Sequence, residues 1–221
     1  MMAEARVIGV LVRSELRLEA RTGDVLRSVL PYALGGLILF ALSVGSDAAL
    51  LRDVGLGIAA AVVLLFGGQA AARRGLLDEA GIRDLVGASG VEPAPVLVAR
   101  MLTMVVLLSA LTLVLAPIAI VLFDPVAAGS GWLLAVVALA VVGLAGLTTI
   151  AGALLTSTAV RGVIAPLLVV PLGVPLLLAV TQVPEAVTYG THAGSWLLLV
   201  ATIDVVVVGL LIGLARWMES G

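Results

Sequence analysis

Six long apolar stretches decide what this chain can fold into. A helix needs roughly 20 residues to cross the ~30 Å hydrocarbon core of a bilayer. Stretches of that order lie at residues 25–45, 54–72, 99–123, 132–156, 163–182 and 196–217. Hydrophobic residues make up 62% of the 221-residue sequence, which is far more than a soluble domain of this length could bury. The sequence therefore predicts an all-α, polytopic membrane helical bundle with six transmembrane helices.

The arginines predict how the chain is oriented. All 12 basic residues are arginines. If the six spans cross the membrane in alternating directions, every arginine except Arg52 lies on the same side of it. Because positively charged segments stay in the cytoplasm, we expect a multi-pass protein of the bacterial inner membrane with cytoplasmic N and C termini. Segments 46–53, 124–131 and 183–195 would then lie outside.

Residue types that are missing exclude several functions. A phosphate-binding P-loop needs a lysine, and this chain has none, so ATP hydrolysis would require a separate subunit. The absence of cysteine excludes thiolate metal sites and covalent haem attachment. The near balance of 12 basic and 14 acidic residues gives no basic footprint for nucleic acid. We therefore expect no enzyme activity, no metal site and no nucleic-acid partner.

Residues 1–24 are predicted to form an amphipathic helix. Its arginines follow one stripe and apolar residues the stripe beside it: Arg6, Arg13, Arg17 and Arg21, then Val7, Leu11 and Leu18. This pattern indicates a helix lying in the interface of the lipid bilayer. Two alternatives are a solvated helix next to the first span and a helix whose Glu15 and Glu19 face a protein partner.

The longest polar stretch, residues 73–98, separates the second and third spans on the predicted cytoplasmic side. In its first half Leu77, Gly81 and Leu85 repeat at helical spacing, before glycines and Pro93 end the pattern. A short cytoplasmic helix is predicted here.

Short motifs occur in a characteristic order along nearly the whole chain. They are Leu16-Arg17-Leu18-Glu19 before the first span, Ser43-Val44-Gly45 and Leu50-Leu51-Arg52 around the first outer loop, Arg100 at the third span, and Arg161-Gly162 followed by Pro166, Pro171 and Pro175 in the fifth. As a set they resemble the CcmB family, haem exporter protein B of cytochrome c maturation, whose members are ABC-2-like permeases with six spans.

That resemblance implies one transmembrane permease domain over residues 1–221, with segment 73–98 docking on an ATPase. The implied docking residues are Leu77, Asp78, Glu79, Gly81 and Leu85. The family usually has a proline soon after this helix, whereas here Gly87-Ala88-Ser89-Gly90 precedes Pro93. The position at which the docking helix ends is therefore left open.

The resemblance also implies partners. They are a CcmA-like ATPase, CcmC-like and CcmD-like membrane proteins, the haem chaperone CcmE indirectly, and a second permease copy. The subunit itself would bind no cofactor, haem would be its substrate, and ATP would bind the partner. Haem export and ATP-driven release of the haem-loaded chaperone are both compatible with this assignment. Alternative functions are an ABC-2 permease for another substrate and a passive membrane scaffold for an ATPase-driven assembly step.

Some residues within the predicted spans are candidates for a pathway or for packing. Pro166, Pro171 and Pro175 each remove a backbone hydrogen bond, so the fifth span is expected to be kinked or locally unwound. Asp204 lies eight residues past Trp196, which is about 12 Å of helix. A carboxylate at that depth costs about 3 kcal/mol, so Asp204 should be protonated, partnered or facing water.

Two further features have a structural and a functional interpretation. Gly209 and Gly213 form a G-x-x-x-G pair that suits close helix packing, either within one subunit or in a dimer. His192 is the only histidine. Because one imidazole cannot form a metal site alone, an ordinary loop residue is the favoured interpretation over an axial haem ligand.

The Gly87–Gly90 string matches that of intramembrane serine proteases, but the serine has no general base nearby, so a glycine-rich turn is expected.

Overall fold

The computed structural model describes residues 2–77, 93–125, 129–154 and 158–220, and these residues form seven helices. The helices are α1 (Met2–Thr22), α2 (Asp24–Val44), α3 (Ala48–Leu77), α4 (Pro93–Phe123), α5 (Ser130–Leu154), α6 (Thr158–Thr188) and α7 (Ala193–Ser220). Each of α2 to α7 contains an apolar stretch of 18 to 30 residues that is long enough to cross a membrane. The all-α bundle with six spans is thereby confirmed.

The outer surface of the bundle suits a lipid environment. Large apolar side chains are exposed along the helices, including Val121 at 85% and Leu113 at 76% on α4. On α7, Trp196 and Trp217 are separated by 21 residues, or about 31 Å of helix, which matches the ~30 Å hydrocarbon core. Tryptophan favours the two membrane interfaces, so this pair indicates that α7 crosses the whole core.

Two of the three apolar clusters in the described residues join most of the helices. The larger joins α3 to α7 around residues such as Leu144, Val183 and Val200. The smaller joins α2, α3 and α4 around Leu37 and Leu115. Since α3 and α4 contribute to both clusters, they connect the N-terminal part of the bundle with its C-terminal part.

The third helix begins earlier than the predicted second span at 54–72, because a capping residue starts it. The Asp47 carboxylate accepts hydrogen bonds from the backbone N–H groups of Ala49 and Leu50, at 3.0 and 3.2 Å. This satisfies donors that the first turn of a helix leaves unpaired. The charged residue Arg52 therefore lies in the first turns of α3, although its segment was predicted to be a loop.

An ion pair joins the ends of α3 and α4 that are predicted to lie outside. The Arg52 guanidinium donates to the Asp124 carboxylate, and both side chains are largely exposed. Next to this pair, Phe123 packs against the bare backbone of Gly55, where a Cβ would overlap the phenylalanine. The isolated arginine of the predicted outer side thus has a partner.

The sixth helix extends beyond the predicted fifth span, 163–182, as far as Thr188. Pro184 lacks the backbone N–H that a helix needs at this position. The helix continues through it because side chains on either side of it are buried, Val183 at 0% and Ala186 at 4% exposed. The Thr188 hydroxyl also donates to the Pro184 carbonyl at 2.8 Å. Packing therefore outweighs the helix-breaking tendency of proline at this position.

The N-terminal helix α1 ends at a glycine turn and packs on α4. Gly23 adopts φ 64°, and its N–H donates to the Glu19 carbonyl at 2.6 Å, as in a helix C-cap. α2 then starts directly, and α1 contacts α4. The helix predicted over residues 1–24 is therefore held against the bundle by a transmembrane neighbour.

Candidate functional site

Most of the predicted docking residues lie outside the described residues. Leu77 is the last residue of α3, whereas Asp78, Glu79, Gly81 and Leu85 fall between residues 77 and 93. The Gly87–Gly90 string lies in the same interval. The helices on either side, α3 and α4, contact each other, so the segment joins two neighbours. The docking assignment itself stays a prediction.

A buried carboxyl lies between the C-terminal helices. Asp204 on α7 is 8% exposed, and neither Oδ1 nor Oδ2 has a hydrogen-bond partner among the described residues. It is about 12 Å of helix from Trp196, well inside the span from Ala193 to Trp217. An unpartnered polar group at such depth is costly. Asp204 is therefore the first candidate for a functional group within the described spans.

The carboxyl of Asp204 occupies space that a glycine leaves free. A Cβ placed on Gly143 of α5 would lie 2.5 Å from Asp204 Oδ1, and 3.1 and 3.2 Å from the two methyl groups of Leu176 on α6. A Cβ on Gly146, three residues further along α5, would overlap Val207 of α7. Helices α5, α6 and α7 meet at this point, and the two glycines allow the close approach.

Neighbouring buried hydroxyls have partners within their own helices. Thr148 and Thr149 on α5 donate to the carbonyl of Ala145, at 2.9 and 2.7 Å. Thr103 on α4 likewise donates to the carbonyl of Ala99 at 2.8 Å. Because these protons are already engaged, the three threonines do not donate to Asp204. Asp204 therefore accepts no hydrogen bond from these three threonines.

The three predicted prolines lie in a continuous helix. The backbone of α6 is helical from Thr158 to Thr188, through Pro166, Pro171 and Pro175. Pro171 is exposed and Pro175 is partly buried. The locally unwound form that was one expectation for this span is therefore wrong for α6. Proline is tolerated within membrane-spanning helices because neighbouring helices and local adjustments of the backbone satisfy the freed backbone groups.

Gly209 and Gly213 lie on an outward face of α7. Both are exposed, and a Cβ added at either position would meet nothing within 4 Å. Among the described residues, no neighbouring helix packs on this pair. The internal close contact of α7 is instead made opposite Gly143 and Gly146, which are small residues in the fourth predicted span. The spacing of these two glycines, three residues apart on one helix, is the feature of the sequence that could have indicated this contact.

His192 is exposed in the turn between α6 and α7. Met104 is buried in the larger cluster and Met101 is partly buried beside α5. In the described part of the chain, no three His, Cys, Asp or Glu side chains come together as a metal site would require. The role of His192 remains a prediction.

Comparison with known proteins adds an independent observation. The family model described as CcmB protein matches residues 6–215, which is most of the chain. The match covers five of the six apolar spans completely and the sixth as far as residue 215. No curated protein matches the chain. The matched range also includes the undescribed segment between α3 and α4.

Proposed function

This chain belongs to the CcmB family, and we propose that it is the membrane-spanning permease subunit of the ABC complex that serves cytochrome c maturation. CcmB is a family of membrane permease subunits, so catalysis is assigned elsewhere. The observation that carries the proposal is the match over residues 6–215, supported by six helices long enough to cross the membrane.

ATP would be hydrolysed by a separate CcmA-like subunit on the cytoplasmic side. The chain contains no lysine for a P-loop, and the 11 arginines other than Arg52 support a cytoplasmic location for both termini and for the segment after Leu77. That segment, with Asp78, Glu79, Gly81 and Leu85, would receive the ATPase. CcmC-like and CcmD-like proteins, the chaperone CcmE and a second copy of this chain complete the proposed assembly.

ATP-driven release of the haem-loaded chaperone is the form of this function that the core supports best. The described core clusters consist of hydrophobic side chains, mainly aliphatic. Among the described residues, the fully buried polar residues on the spanning helices are three threonines bonded within their helices and Asp204. Arg100 Nε and the Thr112 hydroxyl are further buried polar atoms on α4. A wide polar route for the haem propionates would require more hydrogen-bonding groups. Haem passage through the subunit is the competing form.

Reconstitution distinguishes these functions. The full chain, co-expressed with the ATPase and the other membrane subunits, should copurify with the ATPase, and ATP should accelerate the departure of loaded chaperone from the complex. A complex carrying a hydrolysis-deficient ATPase is the control. Accumulation of haem inside sealed vesicles, without chaperone release, would favour haem passage. Failure to restore cytochrome c maturation in cells lacking the subunit, despite normal assembly, would contradict the proposed substrate class.

A further inference from the structure

An open groove runs along α1 where this helix packs on α4. It encloses about 610 Å³. One face of α1 from Ala5 to Ala20 lines it, together with Leu102 of α4. These 15 residue steps correspond to about 22 Å of helix. The cavity is therefore long and narrow.

The groove combines an apolar floor with a cationic edge. Ile8, Val12 and Leu16 form much of the floor, and the exposed side chains of Arg13 and Arg17 also line it. The lining includes no carboxylate. Residues four apart in a helix lie one above the other, so the two guanidinium groups come from adjacent turns.

The groove also lies at the level of a membrane surface. Leu102 lies 21 residues, about 31 Å of helix, from Phe123 at the opposite end of α4. This length matches the ~30 Å hydrocarbon core, and α1 contacts α4. A cationic amphipathic helix at this level lies where acyl chains meet lipid headgroups. Arginine forks suit phosphate oxygens.

From shape, charge and depth together, we propose that the groove between α1 and α4 binds one anionic phospholipid. An acyl chain lies along Ile8, Val12 and Leu16, and the headgroup phosphate binds Arg13 and Arg17. The linear groove fits a flexible chain better than a flat macrocycle or a folded protein domain. Bound in this way, the lipid would attach α1 to the bilayer while α4 holds its other side.

Native mass spectrometry of the full-length protein tests the proposal. After delipidation in mild detergent, the protein is titrated with dioleoylphosphatidylglycerol or with dioleoylphosphatidylcholine. We expect saturable binding of the first and weaker binding of the second. The double variant R13Q/R17Q should bind phosphatidylglycerol about 30-fold more weakly, about fivefold for each lost charge near the membrane surface.

Two variants separate the groove from general charge effects. R6Q/R21Q removes two exposed arginines of the same helix that do not line the groove, and it should retain binding within a few fold. Gly9→Leu keeps every charge but fills the groove at a position where an added Cβ meets nothing within 4 Å, so it should weaken binding. Equal losses in both arginine pairs, or equal binding of the two lipids, would overturn the proposal. So would loss of ATPase copurification in R13Q/R17Q with lipid binding unchanged, because the groove would then be a protein contact.

Discussion

Replacing Gly143 with alanine is expected to force α5 away from α6 and α7. The added methyl would lie 2.5 Å from Asp204 Oδ1 and slightly more than 3 Å from both methyl groups of Leu176. Leu176 is 3% exposed and Asp204 8%, so both side chains lie inside the bundle and cannot move into solvent without a shift of the helices. Overpacking of this kind costs about 1–3 kcal/mol of the free energy of unfolding.

Gly152→Ala is the matched control. Gly152 lies on the same helix, but an added Cβ there meets nothing within 4 Å. Alanine is favoured over glycine within a helix by roughly 0.5–1 kcal/mol, so this variant should be neutral or slightly more stable. Unfolding of the purified proteins in mixed micelles of increasing denaturing-detergent content measures both free energies.

A double-mutant cycle identifies the atom that causes the loss. Asp204→Ala removes Oδ1, the nearest atom to the new methyl group, and it removes a carboxyl that has no hydrogen-bond partner. Alone it should therefore cost little. Combined with Gly143→Ala, it should restore most of the lost stability, with a coupling of about 1 kcal/mol or more. Equal stability of the Gly143→Ala and Gly152→Ala proteins would refute the reasoning, and so would strictly additive effects in the cycle.

Four other outcomes are expected. A C-terminal alkaline phosphatase fusion should be inactive and a C-terminal green fluorescent protein fusion active, because the arginine distribution keeps both termini in the cytoplasm; the opposite pattern would contradict the orientation. Leu85→Asp should sharply reduce ATPase copurification by placing a charge in a dry contact, whereas Ala88→Asp in the glycine-rich stretch should not; equal copurification in both would remove Leu85 from the docking surface. His192→Ala should leave cytochrome c maturation intact, since the chain contains neither cysteine nor a second histidine to complete a metal site; its loss at normal protein levels would make His192 the first haem-ligand candidate. Arg52→Ala should lower stability by no more than about 1 kcal/mol because its pair with Asp124 is solvent-exposed, and a loss several times larger would show that the pair does more than join two helix ends.

The number and type of the membrane-spanning helices could be predicted from the sequence, but several of their ends could not. Long apolar stretches need helices in a membrane whatever their neighbours are, so the six spans follow from composition and length. Helix ends depend on local bonds and packing. Asp47 caps α3 upstream of charged residues, and buried contacts carry α6 past Pro184. A pattern of hydrophobicity records neither effect.

The sequence identifies Asp204 as a candidate functional residue, but it does not predict which residues Asp204 contacts. Asp204 stands out in the sequence because it is a single carboxyl within an apolar span. Its neighbour Gly143 could not be assigned, because the sequence does not say which faces of α5 and α7 meet. The same uncertainty affected the glycine pairs: Gly209 and Gly213 face outward, whereas Gly146 accommodates Val207.

Helix α4 connects the predicted docking segment with the junction at Asp204. It begins at Pro93, inside the C-terminal part of that segment, and contacts both α5 and α7. The terminal methyl of Met101 lies 3.5 Å from the position of a Cβ on Gly146, where Val207 also packs. Val207 is less than one turn from Asp204. A shift of α4 at Met101 would therefore be expected to disturb the α5–α7 contact beside the buried carboxyl. Coupling of this kind needs an element with two arrangements. We expect the second to be a state in which α5 and α7 are separated, because water could then reach the Asp204 carboxyl, which is buried among the described residues. Gly143→Ala separates the same pair of helices, so its effect on ATP-driven chaperone release measures the contribution of this contact to the cycle.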